Sequence, residues 1–145
     1  MRTRRLHEVR DQATWLVVLE TGDEAMACLQ RFAEEEGLDA ASFSAIGAFE
    51  RARLAFFEWE SKDYLPIPVD EQVEVASLTG DIALGVDGTP AIHVHAVLGR
   101  RDGSALAGHL LEGHVRPTLE IVLTESPATL RKRVDADSGL ALIQV

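Results

Sequence analysis

The chain has 145 residues, 46% hydrophobic and 26% charged, with 14 Lys and Arg against 24 Asp and Glu for a net charge of −10 with histidines neutral. A domain of this length buries roughly 68–70% of its unfolded surface without a disulfide, and the lone Cys28 excludes an internal one. The acidic balance disfavours any role that draws affinity from displaced phosphate counterions.

No apolar run approaches the ~18 residues needed to span a bilayer. Met1–Arg10 is polar and lacks the apolar core of a secretory signal, so a cytoplasmic protein is the expectation. We expect a single domain over residues 1–145, with residues 1–8 a flexible N-terminal segment. The short basic runs Arg2, Arg4 and Arg5, Arg100 and Arg101, and Arg131 to Arg133 read as scattered, solvated charge.

Taken in order, Thr14–Glu20 (TWLVVLE) is a first strand by its β-branched and aromatic content. Thr21 and Glu24 have capping-box spacing, with Thr21 the expected N-cap. Ala25, Met26, Leu29, Phe32 and Ala33 recur at helical spacing, and Gly37 is a natural stop. Cys28 lies in this pattern and reads as a packed thiol. Phe43–Ala48 and Arg53–Trp59 are strands, with Gly47 a bulge or a close backbone approach. Ser61–Asp70, with two prolines, reads as a loop. Its Tyr64 is either a pocket cover or a packed surface aromatic.

Glu71–Leu78 and Asp81–Val86 are the next strands, separated by Thr79-Gly80, and Asp87-Gly88 marks a hairpin. That hairpin feeds the strand Ala91–Leu98. Arg101-Asp102-Gly103 is a turn, and Ala105–Leu111 returns beside the strand before it. Thr118–Thr124 is a further strand, Ser126-Pro127 opens a short helix by the preference of proline for the first helical position, and Leu140–Val145 is a last strand. Strands outnumber helices and hairpins dominate, so the class is α+β with a largely antiparallel or mixed sheet and one main helix.

Four of the five histidines fall between Ile92 and Val115. His93 and His95 stand at i and i+2 of a strand and share a face. On that strand Ile92, Val94, Ala96 and Leu98 form the opposite face, and both faces read as at least partly buried. His109, on the returning segment Gly108-His109-Leu110, can complete a facial set of three metal ligands. Three protein ligands on zinc leave a position open, whereas a structural zinc is closed by four. Hydrogen-bonded core histidines are the alternative. His114 reads as a surface residue or a fourth ligand, and His7 carries no signal. Glu74 and Glu120 sit within apolar strands and need partners if buried. Each is a candidate to orient a ligand histidine or to act as a general acid or base, and pairing with an arginine such as Arg116 is the structural alternative.

Glu74–Gly80 (EVASLTG), His93–Leu98 (HVHAVL), Gly108–Val115 (GHLLEGHV) and Thr118–Glu120 resemble, in order and spacing, the plant and prokaryote conserved (PPC) domain. Gly47 and Ser138-Gly139-Leu140 fit the same pattern, and the likeness runs from about His7 to Val145. The resemblance implies an α+β fold assembled as a homotrimer, with a metal, zinc first among candidates, at His93, His95 and His109. It also implies a fold similar to a decarboxylase that uses three histidines on zinc, hence a small metal-dependent enzyme with a small-molecule ligand at the ion. The DNA-binding label of prokaryotic relatives, and the AT-hooks of plant members, imply a transcriptional role. This chain has no Arg-Gly-Arg-Pro core of an AT-hook. The plant partner-contact segment Gly-Arg-Phe-Glu-Ile-Leu is here Glu71-Gln72-Val73-Glu74-Val75-Ala76.

Overall fold

The structure, a computed structural model, describes residues 1–10 and 12–145. The elements run β1 (Arg2–Val9), β2 (Gln12–Glu20), α1 (Ala25–Glu36), β3 (Ala40–Glu58), β4 (Asp63–Val69), β5 (Val73–Leu84), β6 (Pro90–Gly99), β7 (Ala105–Glu125), β8 (Lys132–Val134) and β9 (Ala141–Ile143). Seven strands form one sheet in the order β1-β2-β7-β6-β5-β3-β4, every pair antiparallel. A further antiparallel pairing of β7 with β3 closes β3, β5, β6 and β7 into a ring. The fold is thus sheet-dominated, with one helix among the described residues.

Closure depends on three long strands where shorter ones were expected. Phe43–Ala48 and Arg53–Trp59 merge into β3, Glu71–Leu78 and Asp81–Val86 into β5, and Ala105–Leu111 and Thr118–Thr124 into β7. Glycines bend these strands rather than end them. At Gly47 the β3 register shifts, φ is +156°, and a Cβ would lie 2.2 Å from the Thr118 carbonyl oxygen. Gly47 is therefore both a bulge and a close approach. Gly80 is no turn: a Cβ there would meet the Phe43 ring at 2.4 Å and the His93 carbonyl at 2.6 Å.

Inside the ring, alternate residues pack a continuous core that includes Phe49, Leu54, Leu78, Ile82, Val94, Leu98, Leu110 and Ile121. One side of α1 joins it through Leu29 and Phe32, the Phe32 ring meeting Trp15 edge-on at 5.4 Å. Each such buried side chain contributes about 1.5–3 kcal/mol. Cys28 is a buried free thiol in the same cluster. The N-cap is Glu24, not Thr21. Its carboxylate accepts from the Met26 and Ala27 N–H groups and from Gly113 N, tying the helix start to β7. Gly37 ends the helix in the left-handed region at φ 66°.

Three further expectations are corrected. Residues 1–8, expected to be flexible, supply most of β1, which lies along β2; Arg5 stacks over the Trp15 ring at 4.4 Å and Arg2 pairs with Glu20. Ser61–Asp70, expected as a loop, contains the edge strand β4. Pro66 and Pro68 are two residues apart, so the N–H groups they lack belong to one edge, and the other edge pairs with β3. No helix forms at Ser126-Pro127. The backbone there is committed elsewhere, with Ser126 N donating to the Ala40 carbonyl, Leu130 N to Asp39, and the Leu130 carbonyl accepting from Leu84 N.

Candidate metal centre

The hairpin at Asp87-Gly88 sets the register that builds the site. Gly88 takes φ +80°, the turn closes through Gly85 N on the Thr89 carbonyl, and β6 runs back along β5 with His93 opposite Asp81. The Arg101-Asp102-Gly103 turn then returns the chain so that His109 on β7 stands opposite His95. His93 and His95 share the outer face of β6, while Val94, Ala96 and Leu98 are buried on the inner one. The outer face is more open than the sequence suggested: His93 is half-buried, and His95 and Val97 are exposed.

The three rings converge. Their centroids are 5.0 Å (His93–His95), 5.2 Å (His93–His109) and 5.5 Å (His95–His109) apart. One nitrogen from each lies within 4.8 Å of the others. Modest ring rotation brings three such nitrogens to the roughly 2.0–2.1 Å of zinc–imidazole bonds. His109 Nδ1 is buried without a hydrogen-bond partner among the described residues, a condition that an ion would relieve.

Electrostatics favour neutral, ligating imidazoles. His109 falls from the ordinary 6.5 to about 4, because burial penalises its charged form and His93, His95 and Lys132 add repulsion. His95 is lowered by burial and by His93.

Asp81 and Lys132 support the centre, and sequence reasoning had singled out neither. Asp81 Oδ2 lies 3.4 Å from His93 Nδ1, which leaves Nε2 as the nitrogen available to an ion. Its Oδ1 is 3.1 Å from Lys132 Nζ, an ion pair rather than a well-aligned hydrogen bond. Burial raises the Asp81 carboxyl, but His93 and Lys132 outweigh it and hold it below its usual value. Lys132 is 7% exposed, so the Arg131 to Arg133 run is not uniformly solvated charge. The hairpin signal alone would have missed by one position: a two-residue Asp87-Gly88 loop puts Ile82 opposite His93, whereas the loop observed, residues 86–88 closed by Gly85 N on the Thr89 carbonyl, puts Asp81 there.

Tyr64, on β4, lies over His109 with ring centroids 4.8 Å apart, so it covers the pocket. A cavity of about 390 Å³ opens beside the centre, lined by His93, His109, Asp81, Lys132, Tyr64 and an apolar wall from Leu140 to Ile143.

The remaining candidates lie elsewhere. Glu74 and Glu120 are exposed on the outer face and border a separate groove with Ile46, Gly47 and Thr118. Strand alternation explains this, since Val73 and Val75, and Leu119 and Ile121, take the inward positions. Neither glutamate lines the histidine cavity, and Arg116 pairs instead with Glu50. His114 belongs to a surface cluster with Glu112 and Arg51, apart from the other three histidines.

Residues 6–127 match the model of the Plants and Prokaryotes Conserved (PCC) domain. A plant- and prokaryote-conserved protein from Pyrococcus horikoshii superposes with a TM-score of 0.85 at 32% identity, over 91% of each chain. A metal-containing protein from Archaeoglobus fulgidus superposes at 0.83 with 32% identity, over 91% of this chain and 93% of that one. A protein from Ralstonia eutropha JMP134, named as a candidate DNA-binding protein, superposes at 0.84 with 31% identity over 90% of each. No curated protein matches the chain.

Proposed function

Because the chain belongs to the Plants and Prokaryotes Conserved domain family, we propose that it works as a metal-binding domain in which His93, His95 and His109 hold one divalent ion, zinc first. The carrying observation is the convergence of three imidazoles, with an unpartnered His109 Nδ1 and a carboxylate behind His93. The Archaeoglobus fulgidus relative, called metal-containing, supports the same reading. An ion so held supplies a Lewis acid with positions open to an outer ligand. The chain's own residues do the rest. Asp81 orients His93, Tyr64 and the Leu140–Ile143 wall shield one side, and Lys132 places a positive charge in the cavity. This arrangement suits an enzyme acting on a small molecule.

We extend the proposal to a homotrimer. Ile46, Phe56, Leu65 and Val122 are large apolar side chains exposed on the outside of the sheet, the kind of surface that self-association covers. Sedimentation equilibrium is expected to return three chain masses.

The test of the metal reading is metal content per chain on untagged protein. About one zinc per chain is expected, and its loss in a His95→Ala, His109→Ala double variant. Equal metal in both proteins would reject the histidines as ligands.

A DNA-binding regulator is the second reading, favoured by the naming of the Ralstonia relative. Charge opposes it: Arg2, Arg5, Arg53 and Arg100 each pair with a glutamate, and the net charge is −10. Affinity falling steeply with added salt would support it.

A further inference from the structure

Lys132 is a residue that metal holding does not by itself require. Its side chain is 6% exposed, and a buried ammonium is costly without compensation. An ammonium carries three N–H donors. Among the described residues its one carboxylate partner is Asp81, which it shares with His93. Both Asp81 oxygens are thereby engaged, and what the pair still offers a ligand is the ammonium N–H donors that Asp81 leaves unused.

The cavity volume, about 390 Å³, lies within the range of small-molecule pockets. Leu140 to Ile143, on the β8–β9 hairpin, give it an apolar wall, and His93 and His109 line the same cavity. One cation and an apolar wall suit a singly charged head on a hydrocarbon body. A phosphate dianion needs more: several donors, an arginine fork or a helix N-terminus. No arginine and no helix N-terminus lines the cavity.

Resting on the reading of the histidine centre as a metal site, we propose that this cavity binds a small aliphatic monocarboxylate, its head group on the Lys132 ammonium and its body against the β8–β9 hairpin. Lys132 is then a binding residue for the ligand, and the His93–His109 edge is where that ligand meets the metal centre.

The experiment is calorimetric titration of zinc-loaded and metal-free protein with 3-methylbutanoate and with its neutral isostere 3-methylbutanamide. Zinc content is measured on the same samples. The acid is expected to bind roughly tenfold or more tightly than the amide in both forms. Lys132→Met is expected to lose that preference in the metal-free chain while still taking up zinc. Leu142→Asp, at an exposed wall position, is expected to weaken both ligands, which share the hydrocarbon body, and the acid the more, because the new carboxylate repels its head group.

Equal affinity for acid and amide in wild type, or a preference that survives unchanged in the folded Lys132→Met chain, would overturn the proposal. Should Lys132→Met fail to fold, an acid preference unchanged in Leu142→Asp would overturn it instead. A wild type that takes up no zinc would sink the metal reading alone, because the metal-free titration still reports on Lys132.

Discussion

His95 and His109 face each other across the β6–β7 pair, their rings 5.5 Å apart and nearly perpendicular at 84°. Each is held by a hydrogen-bonded ladder, so the backbone fixes their separation. His93, two residues from His95 on the same face, is fixed by the same strand and by Asp81 on the next one. The centre is therefore largely organised by sheet register, and its properties respond to changes in the strands behind it.

The first prediction concerns pH in the metal-free chain. His109 titrates near 4 in the folded protein against an ordinary 6.5, and His95 is shifted in the same direction. Between those values the unfolded chain binds more protons than the folded one, so stability rises with pH across that window. The contribution is complete above about pH 6.5 and is lost as pH falls toward 4. Tm measured over this range should drop progressively with acidification, and less so in His109→Phe. A wild-type Tm with the same acid response as His109→Phe would contradict the assignment.

Removing the charge on Asp81 should weaken metal holding without abolishing it. Asp81→Asn leaves His93 a weaker orienting partner and Lys132 without its counter-ion. Loss of such a supporting carboxylate costs about 10–100-fold in metal affinity. Competition with a zinc-responsive chelator measures this directly, and an unchanged affinity would show that Asp81 serves packing only.

Gly80→Ala tests whether register and site are coupled. The added methyl meets the Phe43 ring and the His93 carbonyl well inside contact distance. Overpacking of this kind costs about 1–3 kcal/mol. Chemical denaturation should show that loss, together with weaker zinc binding, since β6 must shift at His93. Lost stability with unchanged zinc affinity would uncouple the two.

Glu24→Ala supplies the contrast. Three N–H donors, on Met26, Ala27 and Gly113, lose their acceptor. Loss of a helix cap costs about 0.5–2 kcal/mol. The midpoint of denaturation should fall while zinc affinity holds, because Glu24 lies outside the cavity lining.

The histidines were legible because a strand period of two and a hairpin signal are local features, and His109 followed from the next turn. Asp81 was not legible, because a two-residue Asp87-Gly88 loop puts Ile82 opposite His93, and only the three-residue loop closed by Gly85 and Thr89 brings Asp81 there. Lys132 was not reachable either. It lies 51 positions beyond Asp81 (132 − 81), in a segment joined to the sheet by single backbone hydrogen bonds such as Leu84 N to the Leu130 carbonyl. Gly80 misled as a strand break because its reason, the Phe43 ring, comes from a different strand. Pro66 and Pro68 misled because only the sheet order reveals that β4 is an edge. Glu74 and Glu120 looked catalytic because each interrupts an apolar run, yet strand alternation turns both outward.

Anomalous diffraction from crystals of zinc-loaded protein, recorded above and below the zinc absorption edge, tests the central claim most directly. The account predicts one strong peak per chain, roughly 2.0–2.1 Å from a ring nitrogen of each of His93, His95 and His109. A peak at His114 and Glu112 instead, or none near the three rings, would contradict it.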